Sequence, residues 1–220
     1  MKLDPKTITV LNNFSSINSS ILFKEGNVIS TVSPTKTVLA KATVPNTFNK
    51  RFAIYNLSRF LSINSLMNNA DLSFEDTSVR MIDGVSILNY RYAEETTIKV
   101  PPEKEISLPS VDVEFTLVDK TFKEVIKANG VLQLPEVAVV GEGGNIYLQA
   151  LDSKDTSCDV YKVNVGTTDK NFRIIFKVEN IVKLMAGDYQ VKISSKGISH
   201  FKGADIEYWV AVESSSSYGG

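Results

Sequence analysis

Short runs of β-branched and aromatic residues, broken by turn residues, make up most of this chain. In the first half such runs span 21–23, 28–32, 38–44, 52–54, 72–74, 79–81 and 85–92, and each predicts a strand. The separators are Glu25-Gly26-Asn27, Ser33-Pro34, Pro45-Asn46 and Asp83-Gly84. In the second half the predicted strands are 113–118, 137–140, 146–151, 160–165, 172–178, 189–193 and 206–212, with hairpin turns at Gly143-Gly144-Asn145 and Gly187-Asp188.

Four segments change to helical spacing. The first, 4–17, has Asp4 as N-cap, Pro5 in the first helical position and a stripe of Val10, Leu11, Phe14 and Ile17. The second, 56–67, carries Leu57, Phe60, Leu61, Ile63 and Met67. The third, 119–129, is expected to be capped by Asp119 and stopped by Gly130, and the fourth, 179–186, to be stopped by Gly187. Between the halves, 93–110 reads as a stiff connector with Pro101-Pro102 and Pro109. The serine- and glycine-rich end, 214–220, reads as a mobile tail.

The halves resemble each other. Phe52-Ala-Ile-Tyr-Asn-Leu-Ser-Arg-Phe-Leu61 parallels Phe176-Lys-Val-Glu-Asn-Ile-Val-Lys-Leu-Met185, matching Asn56 with Asn180 and Leu57 with Ile181. Each copy is expected to end a strand, cap a helix with its asparagine and bury one apolar helical face. Lys6-Thr7-Ile8 parallels Lys120-Thr121-Phe122 more weakly. The expectation is two tandem α+β domains, 1–92 and 111–213.

Composition narrows the function. The single cysteine, Cys158, excludes an intramolecular disulfide and fits a reducing compartment. No apolar run approaches the ~20 residues of a membrane span, and the start lacks a secretory layout. A net charge of −1 argues against wrapping nucleic acid with bulk positive charge, so the placement of lysines matters more than their number. On 119–129, Lys120, Lys123 and Lys127 share one sector opposite Phe122, Val125 and Ile126, given a step of ~100° per residue. An ordinary solvated helix face gives the same pattern. The other helices are polar and mildly basic: Thr9, Asn12, Asn13 and Ser16 with Lys2 and Lys6; Ser58, Ser62, Ser65 and Asn69 with Arg59; Lys183, with Lys177 just before the helix.

Nothing marks an enzyme, a metal site or a cofactor. His200 is the sole histidine, Gly141-Glu-Gly-Gly144 lacks the Gly-Lys-Ser/Thr of a phosphate loop, and Cys158 has no nearby base. Glu75-Asp76 and Glu94-Glu95 sit among turn residues and read as solvated loops.

The layout resembles the sliding clamps, in particular those of T-even-type bacteriophages. The residues that carry the resemblance are Met1-Lys-Leu, the 11–17 stretch with Asn18-Ser19, Ala53-Ile-Tyr-Asn-Leu57 with Phe60-Leu61, and Ser65-Leu66. They continue with Ala70-Asp71-Leu72-Ser73, the proline-containing connector, Gly187-Asp188-Tyr189 and the ending Tyr208-Trp-Val-Ala-Val-Glu213. It runs from end to end in order. The departures are Asn12 and Asn13 where a basic residue is expected, and the serine run after Glu213.

The resemblance implies a DNA-clamp fold and a head-to-tail homotrimer, with helices lining the hole and antiparallel sheets outside. Such a ring holds the replicative DNA polymerase on duplex DNA without regard to sequence. It is served by an ATP-driven clamp loader and, in this group, contacts late-transcription factors in the cytoplasm of the infected bacterial host. On this reading Lys2, Lys6, Arg59, Lys120, Lys123, Lys127, Lys177 and Lys183 face DNA. The subunit joint forms between 85–92 and 160–165, with Ile87, Tyr90 and Tyr92 against Val160, Tyr161 and Val163, unless both strands are internal. A partner pocket is expected at Ile106, Leu108 and Val111, with part of the C-terminal strand. The rival reading, a phage tail or baseplate protein, shares the β-rich, histidine-poor composition but does not require the duplicated unit or the lysine stripe.

Overall fold

The computed structural model describes residues 1–155 and 157–219. It contains two compact units, Met1–Lys104 and Glu105–Gly220, dividing within the 93–110 stretch.

The first unit begins with α1 (Pro5–Ile17), where the Asp4 carboxylate accepts from the Lys6 amide at 2.8 Å and Pro5 occupies the first turn. At the far end of α1 the buried Asn18 acts as a tie. Its Nδ2 donates to the carbonyls of Val32 and Lys99 at 3.0 and 3.1 Å, and its Oδ1 accepts from the Ser20 amide at 3.0 Å. Strands β1 (Ile21–Phe23) and β4 (Phe52–Ile54) pair antiparallel, as do β2 (Gly26–Val32) and β3 (Val38–Phe48). The expected break at Pro45-Asn46 does not occur, because β3 runs through it. The register jumps there from Val28↔Thr43 to Gly26↔Phe48, so Pro45, which has no N–H to donate, falls in the irregularity. Helix α2 (Leu57–Leu66) is capped by Asn56, whose side chain accepts from the Arg59 amide. β5 (Asp71–Phe74), β6 (Ser78–Asp83) and β7 (Ser86–Arg91) then form a three-stranded meander. Phe23, Phe48, Phe52 and Phe74 supply an aromatic core with neighbouring centroids 4.6–6.2 Å apart.

The second unit contains β8 (Val113–Leu117), α3 (Asp119–Leu132), β9 (Glu136–Glu142), β10 (Asn145–Leu151), β11 (Tyr161–Thr167), β12 (Asn171–Lys177) and α4 (Val178–Ile181). After these come β13 (Tyr189–Ser194), β14 (Ile198–Lys202), β15 (Ile206–Ala211) and β16 (Ser217–Gly219). One antiparallel sheet is ordered β11-β10-β9-β12-β16, and β15-β14-β13-β8 are neighbours in another. Tyr189, Phe201 and Tyr208 meet edge to face in the core, with centroids 6.1–6.3 Å apart.

Four expectations are corrected here. Gly130 does not stop α3, which continues to Leu132; the left-handed residue that ends it is Gln133, at φ 53°. Asp119 is not the N-cap: Val118 holds that place, and the Asp119 carboxylate accepts from the Gly187 amide instead. The fourth helix is a single turn, and Asn180 lies inside it, so its match to Asn56 is one of sequence and not of capping role. The tail is not free, since Ser217–Gly219 pairs with β12.

Candidate nucleic-acid interface

In the first unit α1 and α2 lie against each other, burying Val10, Leu11, Phe14 and Ile17 on one and Leu57, Phe60 and Leu61 on the other. Their outer faces are polar. Asn12, Ser58, Ser62, Ser65 and Asn68 border a shallow groove of 670 Å³. Lys2, Lys6 and Arg59 are exposed in the same unit.

In the second unit α3 rests on β10 and β11 through the buried Phe122 and Val125. Lys120, Lys123 and Lys127 are exposed on its other side. The structure therefore brings the three together as one stripe, as their spacing predicts. Lys123 Nζ donates to Asp119, a residue four positions earlier, and this bond foremost holds the Asp119 carboxyl below its ordinary range. Glu124 accepts from the Tyr161 hydroxyl, which occupies the acid bordering the stripe and raises the tyrosine's own pKa. Lys177 closes β12 and borders a separate 490 Å³ pocket with Glu136, Asp152, Lys154 and Glu179. Lys183 is half-buried just beyond α4.

A link that the sequence did not signal fixes the start of α3. The Asp188 carboxylate accepts from the Asp119 amide at 2.8 Å, while the Asp119 carboxylate accepts from the Gly187 amide at 2.8 Å. The partners are 68 and 69 positions apart, so no local pattern could reveal them.

Both strands expected at a subunit joint are edges of the sheets in which they lie: β7 pairs with β6, and β11 with β10. Ile87 is 57% exposed and Val160 53%, while Val163 is half-buried. Tyr90 and Tyr92 have places in their own unit. Tyr90 sits edge-on to Phe60 and donates to the Asn56 carbonyl, and Tyr92 lies against Phe52 and donates to the Glu75 carbonyl. Burial is the first cause that raises both phenols, Tyr92 to about 12. Tyr161 is likewise engaged within its unit by Glu124. Ile106 and Leu108 are half-buried and Val111 is exposed.

His200 and Cys158 each have partners within the second unit. His200 stacks on Trp209 at 4.6 Å and shares a 2.9 Å hydrogen bond with Glu207; burial lowers its pKa and Glu207 opposes that shift. Cys158 Sγ accepts from the Asp152 amide at 3.3 Å in a loop. Among the described residues, no helix is long and apolar enough to cross a membrane.

The comparisons with known proteins cover both units. A family model described as DNA polymerase processivity factor matches residues 2–98, and one described as gp45 sliding clamp, C terminal, matches residues 114–214. The sliding clamp of Vibrio phage KVP40 is 34% identical, over 97% of this chain and 99% of its own. Those of Escherichia phage RB69 and Enterobacteria phage T4 are each 28% identical, over 99% of both chains. Among solved structures, the Helicobacter pylori beta clamp bound to a DNA ligase peptide superposes with a TM-score of 0.71 at 13% identity, over 97% of this chain and 65% of that one. The A. fulgidus PCNA bound to the C-terminal region of FEN-1 gives a TM-score of 0.68 at 16% identity, over 96% of both chains. These structures share the clamp fold. An end-to-end match of this identity sets aside the tail or baseplate reading, and the chain belongs to the sliding clamp family of T4-like bacteriophages, the DNA polymerase processivity factors.

Proposed function

We propose that three copies close head to tail around duplex DNA and tether the replicative DNA polymerase to its template, without catalysing a reaction. An ATP-driven loader opens and closes the ring, and late-transcription factors share it, in the cytoplasm of the infected bacterial host. The observation that carries this reading is the 34% identity to a phage sliding clamp along practically the whole of both chains.

The surfaces agree with it physically. Each phosphate neutralised by a lysine adds salt-sensitive affinity, and ~6–10 such contacts bind firmly. A ring that slides needs looser contacts, because topology prevents escape. A serine- and asparagine-lined α1–α2 face in one unit and a lysine stripe on α3 in the other each supply mild attraction without reading bases. Edge strands β7 and β11 offer unpaired backbone for joining one copy to the next, with Ile87 and Val160 as exposed apolar contacts. By analogy with the peptide-bound relatives, partner segments dock at Ile106, Leu108 and Val111.

The test is polymerase processivity on primed circular DNA with a loader and ATP, repeated on linear DNA with free ends. Stimulation is expected on the circle and is expected to fall on the linear template as rings run off. Equal stimulation on both, or a monomer in sedimentation at micromolar concentration, would refute the ring.

A further inference from the structure

The end of the chain makes contacts that its serine-rich composition does not predict. β16 lies antiparallel to β12, with Ser217 opposite Arg173, Tyr218 opposite Phe172 and Gly219 opposite Asn171. The Tyr218 ring stacks on Phe172 with centroids 5.9 Å and planes 12° apart, and its hydroxyl donates to the Asp112 carbonyl at 3.0 Å. Lys170 Nζ stands 5.6 Å from the centre of the same ring. Just upstream, Ser216 Oγ accepts from the Ile175 amide at 2.8 Å and the Glu213 amide donates to the Ile175 carbonyl at 2.9 Å.

The seat is firm and its occupant is slight. Phe172 is buried against Gly141, where a Cβ would come within 2.6 Å of the Phe172 ring. Asp112, whose carbonyl meets Tyr218, is itself held by Ser110 and by the Ser195 amide through its carboxylate. The occupant is a three-residue strand in which Ser217 and Gly219 are exposed and Tyr218 alone is partly buried. Serine and glycine have low strand propensity, and short terminal elements with few buried contacts open far more readily than the fold as a whole. Lifting the tail uncovers the Phe172 face and the peptide groups along the outer edge of β12, which is a template for another extended segment.

The geometry points to a second binding site on the Phe172 face and the β12 edge, kept closed by the chain's own C-terminal strand until an extended partner segment displaces it. The resident defines the partner: a tyrosine whose hydroxyl reaches the Asp112 carbonyl, between small residues that let the two backbones approach. The inference rests on the reading that partner segments dock on this clamp, and it adds a seat beyond Ile106, Leu108 and Val111. Because the tail is tethered, its effective concentration is on the order of millimolar, so an untethered segment must bind well below that value to replace it.

The probe is a fluorescein-labelled peptide with the sequence of residues 213–220, titrated by anisotropy against the full chain, the full-length Tyr218→Ala variant and a chain ending at Glu213. Binding at least tenfold tighter to the variant and to the shortened chain is expected, and a peptide with alanine in place of tyrosine should lose it. Equal binding to full and shortened chains, or equal binding of the two peptides, would overturn the proposal. So would a full chain that assembles into larger species than the shortened one, since the seat would then serve a second copy's tail. Processivity of the unaltered chain on circular DNA is a separate readout, so a failed ring and a failed seat give different results.

Discussion

Alanine substitution at two glycines of the second unit should act in opposite directions. Gly141 sits in β9 directly across from Phe172, and an added methyl would lie 2.6 Å from both the Lys170 carbonyl oxygen and Phe172 Cε1. Ordinary contact is about 3.5 Å, so these neighbours must recede by roughly 0.9 Å. Lys170 presents backbone and Phe172 belongs to a paired strand, so neither yields cheaply. Overpacking of this kind costs about 1–3 kcal/mol, and a displaced Phe172 also loses its stacking with Tyr218, worth about 0.5–1.5 kcal/mol. Gly141→Ala should therefore destabilise the unit by roughly 2–4 kcal/mol, or on the order of 10 °C in melting temperature. Gly130 lies in α3 with nothing within 4 Å of an added Cβ, so Gly130→Ala should stabilise by about 0.5–1 kcal/mol. Urea unfolding followed by fluorescence of the single tryptophan, Trp209, which is buried in this unit, reads both. A Gly141→Ala variant within about 0.5 kcal/mol of the parent would refute the argument, as would equal losses at the two sites.

Replacing Lys120, Lys123 and Lys127 together by glutamate should shorten polymerase runs on primed circular DNA and flatten the salt dependence of clamp residence; unchanged processivity would remove the stripe from the DNA-facing surface. Asn18→Ala should cost about 2–4 kcal/mol, because it strands the Val32 and Lys99 carbonyls and the Ser20 amide, and faster hydrogen exchange at that amide would report it. Asp119 ionises more readily when folded, so the stability it contributes is present above the ordinary carboxylate range and is lost as pH falls through its lowered value. Circular dichroism from about pH 5 to about pH 2 should accordingly show a shallower acid loss for Asp119→Asn than for the parent.

The sequence revealed what depends on near neighbours. Asp4-Pro5 and Asn56 announce helix starts because their side chains satisfy amides two or three residues on. The lysine stripe follows from rotation along one helix, and the repeat from aligned residues. Features set by distant partners were hidden. Gly130 looks like a stop until the left-handed turn is found at Gln133. Asp119 looks like a cap until Gly187 claims its carboxylate. The tail gains order through β12 and Asp112, neither near it in sequence. That 85–92 lies at a sheet margin was legible from its place as the last strand before the connector, whereas 160–165 could be set at a margin only by analogy, since margin or middle is decided by the neighbours a strand lacks.

The reciprocal Asp119–Gly187–Asp188 bonds make the heading of α3 a property of the turn before β13. A deletion of one residue between Met185 and Asp188 would leave every lysine of the helix in place and still swing all three together. The length of that turn is thus under the same constraint as the charges themselves. Engineered grafts that transplant α3 alone would carry the cations across and lose their aim.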